Sequence, residues 1–439
     1  MNVPQAPGDT GANPAEHRKT FGRELRRLRS EAGMSLGGLA ELVHYSKGYL
    51  SKIETGSKNP PSDLARRCDT ALGTEGALTA LVPARSSAAP LSEAADDGEV
   101  WLMNLTSDGS WFKPMNRRDV LVTGAASVVG FGLSSRGLSA AADESTSLTA
   151  FGALFDQLRL LGQTASPGVV LPALVAQTHT LRELATHANP RSRQRLLALG
   201  ARYAEYAGWM AQESGDDQAA LWWTDRAVEM AKAGGDEDLA SYSLVRRALV
   251  TFYREDATQT IDLARRAQGG SVPPRIRGLA AQREAQGHAI AGSYDACFRS
   301  LDRARVLLSH AAESDGPVLG TTNLSDPAAM IHGWCLYDLG KPKEAAEALD
   351  VQIALLSPKA LRSQARYGVR RALAYASANE VDHACELTIP LLDVVDLVGS
   401  ATVNSDLRKL ARALSRFHTH SRVRELYPRL SASLHSPML

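Results

Sequence analysis

Four side chains in one short stretch, Ser46, Lys47, Tyr49 and Lys52, have the types and spacing to touch a nucleic acid. Lysine donates to guanine O6 and N7, and serine and tyrosine hydroxyls reach phosphates. They act together only if one helix presents them on one side, and Leu50 and Ile53 supply the inward side of such a helix. Residue types suited to covalent chemistry are scattered by comparison. No GxSxG, HExxH, P-loop or GxGxxG element sits on a plausible scaffold. The close histidine pair His418 and His420 has no cysteine or carboxylate cluster beside it, and reads as a solvated helix end rather than a metal site. Asp216-Asp217 and Asp236-Glu237-Asp238 follow Gly215 and Gly234-Gly235, which makes them turn and N-cap carboxylates. The expectation is a protein that is not an enzyme, with no catalytic or metal residues and no cofactor.

Composition narrows the setting. A length of 439 residues predicts two or three domains. With 44% hydrophobic and 22% charged residues, wholesale disorder and a fibrous protein are excluded. No apolar run reaches the roughly 18 to 20 residues that cross a bilayer, so no membrane partner is expected. Ala, Leu, Arg and Glu dominate and aromatics make up 6%, which predicts a mostly helical chain. Abundant Ala, Arg and Gly fit a high-GC bacterial genome. The four cysteines, Cys68, Cys297, Cys335 and Cys385, lie far apart and form no CxxC pair, which fits a reducing cytoplasm.

Net charge is only +1, but its distribution is uneven. Residues 16–82 carry 11 basic against 8 acidic side chains. Residues 83–115 reverse the sign, with Glu93, Asp96, Asp97, Glu99 and Asp108 against Arg85 and Lys113. A basic head on an acidic linker suits a polyanion partner.

Stepping along the chain gives a disordered tail at 1–16, a compact head at 17–82, an irregular linker at 83–147, a helical body at 148–430 and a tail at 431–439. Within the linker, Arg117-Arg118 followed by apolar Val120 to Leu133 resembles a twin-arginine export signal. It follows a complete head and its apolar part is too short to span a membrane, so a short helix packing on the body or on a dimer mate is expected. In the head, Phe21, Leu25 and Leu28 share a face of a first helix that Gly33 stops. Ser35 caps a second helix carrying Leu36, Leu39 and Leu42. Ser46 caps a third over about 47–54, Ser62 starts a fourth, and Thr74 caps a short fifth carrying Leu78 and Leu81. Two short helices joined by a tight turn can put a helix N-terminus into a major groove.

With its LRxLR…G(M)S…LA…S…YLSKIE-x-G…P string, the head resembles the Xre/Cro (phage repressor) helix-turn-helix family over about 60 residues. The resemblance implies that Ser46, Lys47, Gly48 and Lys52 face bases, with Tyr49 beside them and phosphate contacts at Lys58 and Asn59. It also implies a buried pair between Arg29 and Glu54. Two departures thin the implied readout. Leu36 stands where many members have a Gln that touches the DNA backbone, and Gly48 has no side chain. The balance then shifts toward Lys47, Lys52 and DNA shape.

In the body, helix-ending breaks fall at Gly215, Glu255, Gly292, Gly340 and Asn379, with spacings of 40, 37, 48 and 39 residues. Seven residues before each break stand Gly208, Ala248, Ala285, Gly333 and Ala372. Five after stand Ala220, Thr260, Cys297, Ala345 and Ala384. Twelve after stand Ala227, Ala267 and Ala304, then Gln352 and Leu391, where the pattern fails. Small residues at such offsets let two antiparallel helices approach closely. The body therefore resembles the tetratricopeptide repeat family over roughly 195–430, with an atypical helical start at 148–190. That resemblance implies that the first helix of each repeat lines a concave groove. Its positions would be Arg202, Glu205, Trp209 and Gln212, then Tyr242, Val245, Leu249 and Phe252, then Gln282, Gln286, Trp334, Tyr337 and Arg366. Such a mix could hold an extended peptide, although each aromatic could equally be core.

The expected fold is therefore all-α: an N-terminal five-helix Xre-type helix-turn-helix domain and a C-terminal tetratricopeptide-like α-solenoid. This arrangement is similar to bacterial peptide-pheromone receptor regulators. By resemblance it implies a cytoplasmic, homodimeric transcription regulator that binds double-stranded DNA and senses a small ligand, most readily a peptide. The alternatives are an adaptor or anti-regulator whose body binds a partner protein, and a regulator whose array only dimerises. Least expected is an enzyme hidden in the body.

Overall fold

Four helices and a 3-10 turn build the head: α1 (Pro14–Glu31), α2 (Leu36–Leu42), α3 (Lys47–Glu54), α4 (Ser62–Leu72) and the turn Thr79–Leu81. The computed structural model describes residues 14–82, 99–106, 109–116, 144–310, 319–320 and 322–435. Gly33, at φ +64°, ends α1 in the left-handed conformation that a residue without Cβ adopts freely. The hydroxyls of Ser35 and Ser46 accept from the amides of Gly38 and Tyr49 at 3.0 and 3.2 Å, capping α2 and α3. Phe21, Leu25, Leu39, Leu50, Ile53 and Leu64 have no exposed surface and form the head's core. Gly22 lets α1 cross α3: a Cβ there would stand 2.5 Å from the carbonyl oxygen of Ile53. The expected fifth helix is a turn ordered by Asp69, whose carboxylate accepts from the Leu78 and Thr79 amides at 2.8 Å each. Helix α1 also starts at Pro14, inside the stretch assigned to a tail.

The linker departs from its irregular reading. Strands β1 (Glu99–Thr106) and β2 (Gly109–Asn116) pair antiparallel, Glu99 opposite Asn116 and Thr106 opposite Gly109. The apolar segment at 120–133 lies outside the described residues.

Among the described residues, seven helix pairs make the body. They are Glu144–Leu161 with Pro167–His187, Pro190–Glu213 with Asp217–Ala233, Asp238–Tyr253 with Ala257–Arg266, and Pro274–Ile290 with Tyr294–Ser309. Pro327–Asp338 with Pro342–Ile353, Leu361–Ser377 with Val381–Val398, and Ala401–Leu414 with Ser421–His435 complete the array. The last helix continues past residue 430 to His435. Every break chosen from the sequence sits at positive φ: Gly215 +92°, Glu255 +59°, Gly292 +75°, Gly340 +81° and Asn379 +71°. The small residues at fixed offsets are buried at the crossings. A Cβ on Gly208 would meet the carbonyl of Ala220 at 3.1 Å, and Ala248, Ala285, Ala345, Ala372 and Ala384 have no exposed surface. Backbones at that distance gain dispersion contacts that larger side chains would block.

The array curls until its first helix pair meets its sixth. The Arg362 guanidinium donates to the carbonyls of Gly162 at 2.7 Å, Ala165 at 2.6 Å and Val398 at 3.1 Å, and pairs with Glu213 at 2.9 Å. Its backbone amide donates to Gln163 at 2.8 Å. Glu213, with no exposed surface, also accepts from Ser400 at 2.6 Å, from Thr402 at 2.9 Å and from Arg366.

Candidate functional site

Two sites emerge, one on the head and one inside the curl of the body. On the head, α2 and α3 meet through the turn at Val43 to Tyr45, where His44 takes φ +55°. Burial of Leu50 and Ile53 fixes the roll of α3, leaving Ser46, Lys47, Gly48 and Lys52 exposed on one side. Lys58 and Asn59 are exposed on the following loop, and the Lys58 ammonium lies 4.6 Å from the centre of the Tyr49 ring. The N-terminus of α3 and its lysines thus form one outward, positively charged edge. Arg29 meets Glu54 in a two-bond pair, Nε to Oε1 at 2.7 Å and Nη2 to Oε2 at 3.1 Å, and donates to the Met34 carbonyl at 2.8 Å. That pair locks α3 to α1. Leu36 is half-buried against the head's core.

The body's cavity measures about 350 Å³. Of the groove residues expected from the repeat pattern, Arg202, Glu205, Trp209, Tyr242, Val245, Leu249, Gln282 and Arg366 line it. The others do not. Phe252 and Trp334 pack against each other in the core, ring centres 5.7 Å apart, and Gln212 and Gln286 are buried. Tyr337 faces a different cleft, between head and body. The reason is curvature: in a tightly curled array, positions that would face an open groove are covered by the next repeat.

Sequence reasoning missed Phe155, Arg159, Tyr206, Arg246, Arg283 and Arg362, which also line the cavity. Phe155 and Arg159 come from the leading pair, which the curl brings round as a wall. Arg246 and Arg283 lie one residue after the expected positions Val245 and Gln282, so a broader stripe on each inner helix would have found them. Electrostatics here are dominated by arginine. Burial raises the Glu205 carboxyl above the ordinary range, although Arg246, Arg159 and Arg202 pull it down. Burial and neighbouring Arg159 lower Arg202, with Glu205 opposing them.

Head and body are joined at the turns of the array. Helix α4 lies on them: Arg67 donates to the Ser377 carbonyl at 3.2 Å, and the Thr70 hydroxyl donates to the Leu339 carbonyl. A Cβ on Gly340 would stand 2.9 Å from the Cα of Arg67, and one on Gly76 would stand 2.6 Å from the Ala291 carbonyl. From the C-terminal side, Arg416 donates to the His44 carbonyl at 3.1 Å and its guanidinium lies 4.7 Å from the Tyr45 ring centre. Tyr45 in turn donates to Asp63 at 2.8 Å. The head is therefore fastened at the turns of Gly292, Gly340 and Asn379 and by Arg416 after the helix Ala401–Leu414.

Among the described residues no group of His, Cys, Asp and Glu is arranged to hold a metal ion, and no helix is long and apolar enough to cross a membrane. All four cysteines are free and buried. His418 is exposed, and His420 lies 3.6 Å from Asp382.

Residues 20–82 match a family model described as a helix-turn-helix domain. No curated protein matches the chain. Among solved structures, the chain is similar to one described as the crystal structure of Rap protein complexed with competence and sporulation factor. The similarity covers 66% of this chain and 97% of that one, at 12% identity and a TM-score of 0.41. The chain thus carries a helix-turn-helix head on an array of antiparallel helix pairs.

Proposed function

We propose that this protein is a cytoplasmic, homodimeric transcription regulator of the Xre type, whose array senses a small ligand, a short peptide or a molecule of similar size. One observation carries the reading: helices that line the cavity end in the turns that hold the head. The helix bearing Gln282 and Arg283 runs to Gly292, against which Gly76 packs. The helix bearing Arg366 and Tyr367 ends at Ser377, which accepts from Arg67. A ligand that changes the angle between these helices tilts α4 with them, and α3 moves as part of the same small core. In a dimer such a tilt brings two recognition helices into or out of register with half-sites about one helical turn apart.

On the head, Ser46, Lys47, Tyr49 and Lys52 contact the operator, and Lys58 and Asn59 hold its phosphates. The test is selection of binding sites from a pool of random DNA duplexes at near-physiological salt, beside a Lys47→Ala, Lys52→Ala double variant. The expected result is an enriched two-fold symmetric site that the double variant loses. Weak binding that falls steeply with salt and ignores the substitutions would overturn it and favour a protein-binding adaptor.

A further inference from the structure

Among the described residues, the cavity is lined by six arginines against two carboxylates. Most of these cations are accounted for. Arg362 and Arg366 share Glu213, Arg246 lies 3.4 Å from Glu205, and Arg159 reaches the Gly320 carbonyl at 3.4 Å. Arg283 differs. Among the described residues its guanidinium has no carboxylate partner; Nη1 donates to the Gln286 side chain and Nε has no hydrogen-bond partner. Burial pushes its ionisation below the ordinary arginine range, the tyrosines 367, 253 and 242 opposing and Arg366 adding to the effect. The adjacent amides repeat the imbalance. Among the described residues, Nε2 of Gln282, 1% exposed on the cavity wall, has no acceptor, and neither does Nε2 of the buried Gln286.

Arg283 is part-buried on the cavity wall, and a guanidinium drawn partly out of water with no counter-charge among the described residues is held at a cost that a bound anion would relieve. Among the described residues the site is rich in unused donors and short of acceptors, which suits an anion. We propose that the cavity holds its ligand by an anionic group, a carboxylate or a phosphate, seated against Arg283 with the Gln282 amide beside it. This deepens the reading of the cavity as the sensory site and rests on it. The apolar walls, Phe155, Leu249, Leu279 and Ile331, then receive the body of the ligand.

The test uses the full chain, with acetate and inorganic phosphate as separate probes against chloride at matched ionic strength. With about 50 mM of the preferred anion the thermal midpoint should rise by about 2 °C over chloride. Which of the two acts distinguishes carboxylate from phosphate. Arg283→Gln should abolish the rise, and Arg283→Lys should keep part of it. Without added anion, Arg283→Gln should melt no lower than the parent, because it removes a part-buried charge with no counter-charge among the described residues. No anion-specific rise in the parent, an equal rise in Arg283→Gln, or a clear loss of stability in that variant would each overturn the proposal. None of these readouts involves DNA, so a failed site selection and a failed anion subsite remain separate results.

Discussion

Glu213 is the residue on which the closure of the array depends. Burial by itself would raise its carboxyl, but Arg366 and Arg362, with the hydroxyls of Ser400 and Thr402, hold it down at about 2. Removing the charge strands two buried guanidinium groups, so Glu213→Gln should cost about 3 to 5 kcal/mol, read from denaturant unfolding. The sign with pH follows from the depressed value. The stabilisation is complete above about pH 4.5, where the carboxyl is ionised both folded and unfolded, and is lost as pH falls toward 2. Glu284, held at about 2 against burial by His288, Gln268, Arg265 and Arg303, adds to the same acid limb. Glu213→Gln should therefore flatten the fall in stability between pH 4.5 and 2, and an unchanged slope would contradict this account. Little of this was legible in the sequence. Glu213 stands two residues before a break, and nothing local says that residues 362 and 366 close over it.

At the level of elements, the turns at Gly292, Gly340 and Asn379 both end a helix of the array and seat the head. Gly340 must take φ +81°, and its bare Cα leaves room for Arg67 of the head; Gly235 takes φ +76° in open space. Alanine at either position strains the backbone by about 1 to 2 kcal/mol. Only Gly340→Ala should also lift α4 off the array, seen as faster amide exchange over 62–72, with Gly235→Ala as the control for strain alone. The repeat breaks were readable because small residues and left-handed turns recur at fixed offsets. The β1–β2 ribbon was not read, although Asp108-Gly109 between Glu99–Thr106 and Ser110–Asn116 is a hairpin signal in the sequence itself. The acidic and proline-flanked stretch before it had set the expectation of a linker.

Across the whole molecule, the head's orientation is set by few contacts: Arg67, Thr70, Gly76 and Arg416 with the turns they touch. An Arg67→Ala, Arg416→Ala double variant should leave the fold of the array intact and loosen the head. On the proposed dimer, binding to a single half-site should then change by no more than about twofold, while binding to the symmetric site weakens by about tenfold, because the second head is no longer held at the right spacing. Titration of both duplexes by fluorescence anisotropy measures this. Equal losses on the two duplexes would mean that docking shapes the recognition helix itself, and not its placement.

The sequence by itself determined the elements and the outward edge of the head. Caps, breaks and apolar periodicity act within a few residues, so Ser35, Ser46, Gly33 and the repeat breaks declare themselves locally, and burial of Leu50 and Ile53 then leaves Lys47 and Lys52 outside. Only the tertiary structure decided which inner positions reach the cavity, that Arg283 has no counter-charge there among the described residues, and that the head rests on the ends of the helices lining it. Those facts depend on the accumulated turn of seven helix pairs, and a small rotation at each crossing decides which side chains, hundreds of residues apart, come within hydrogen-bond distance.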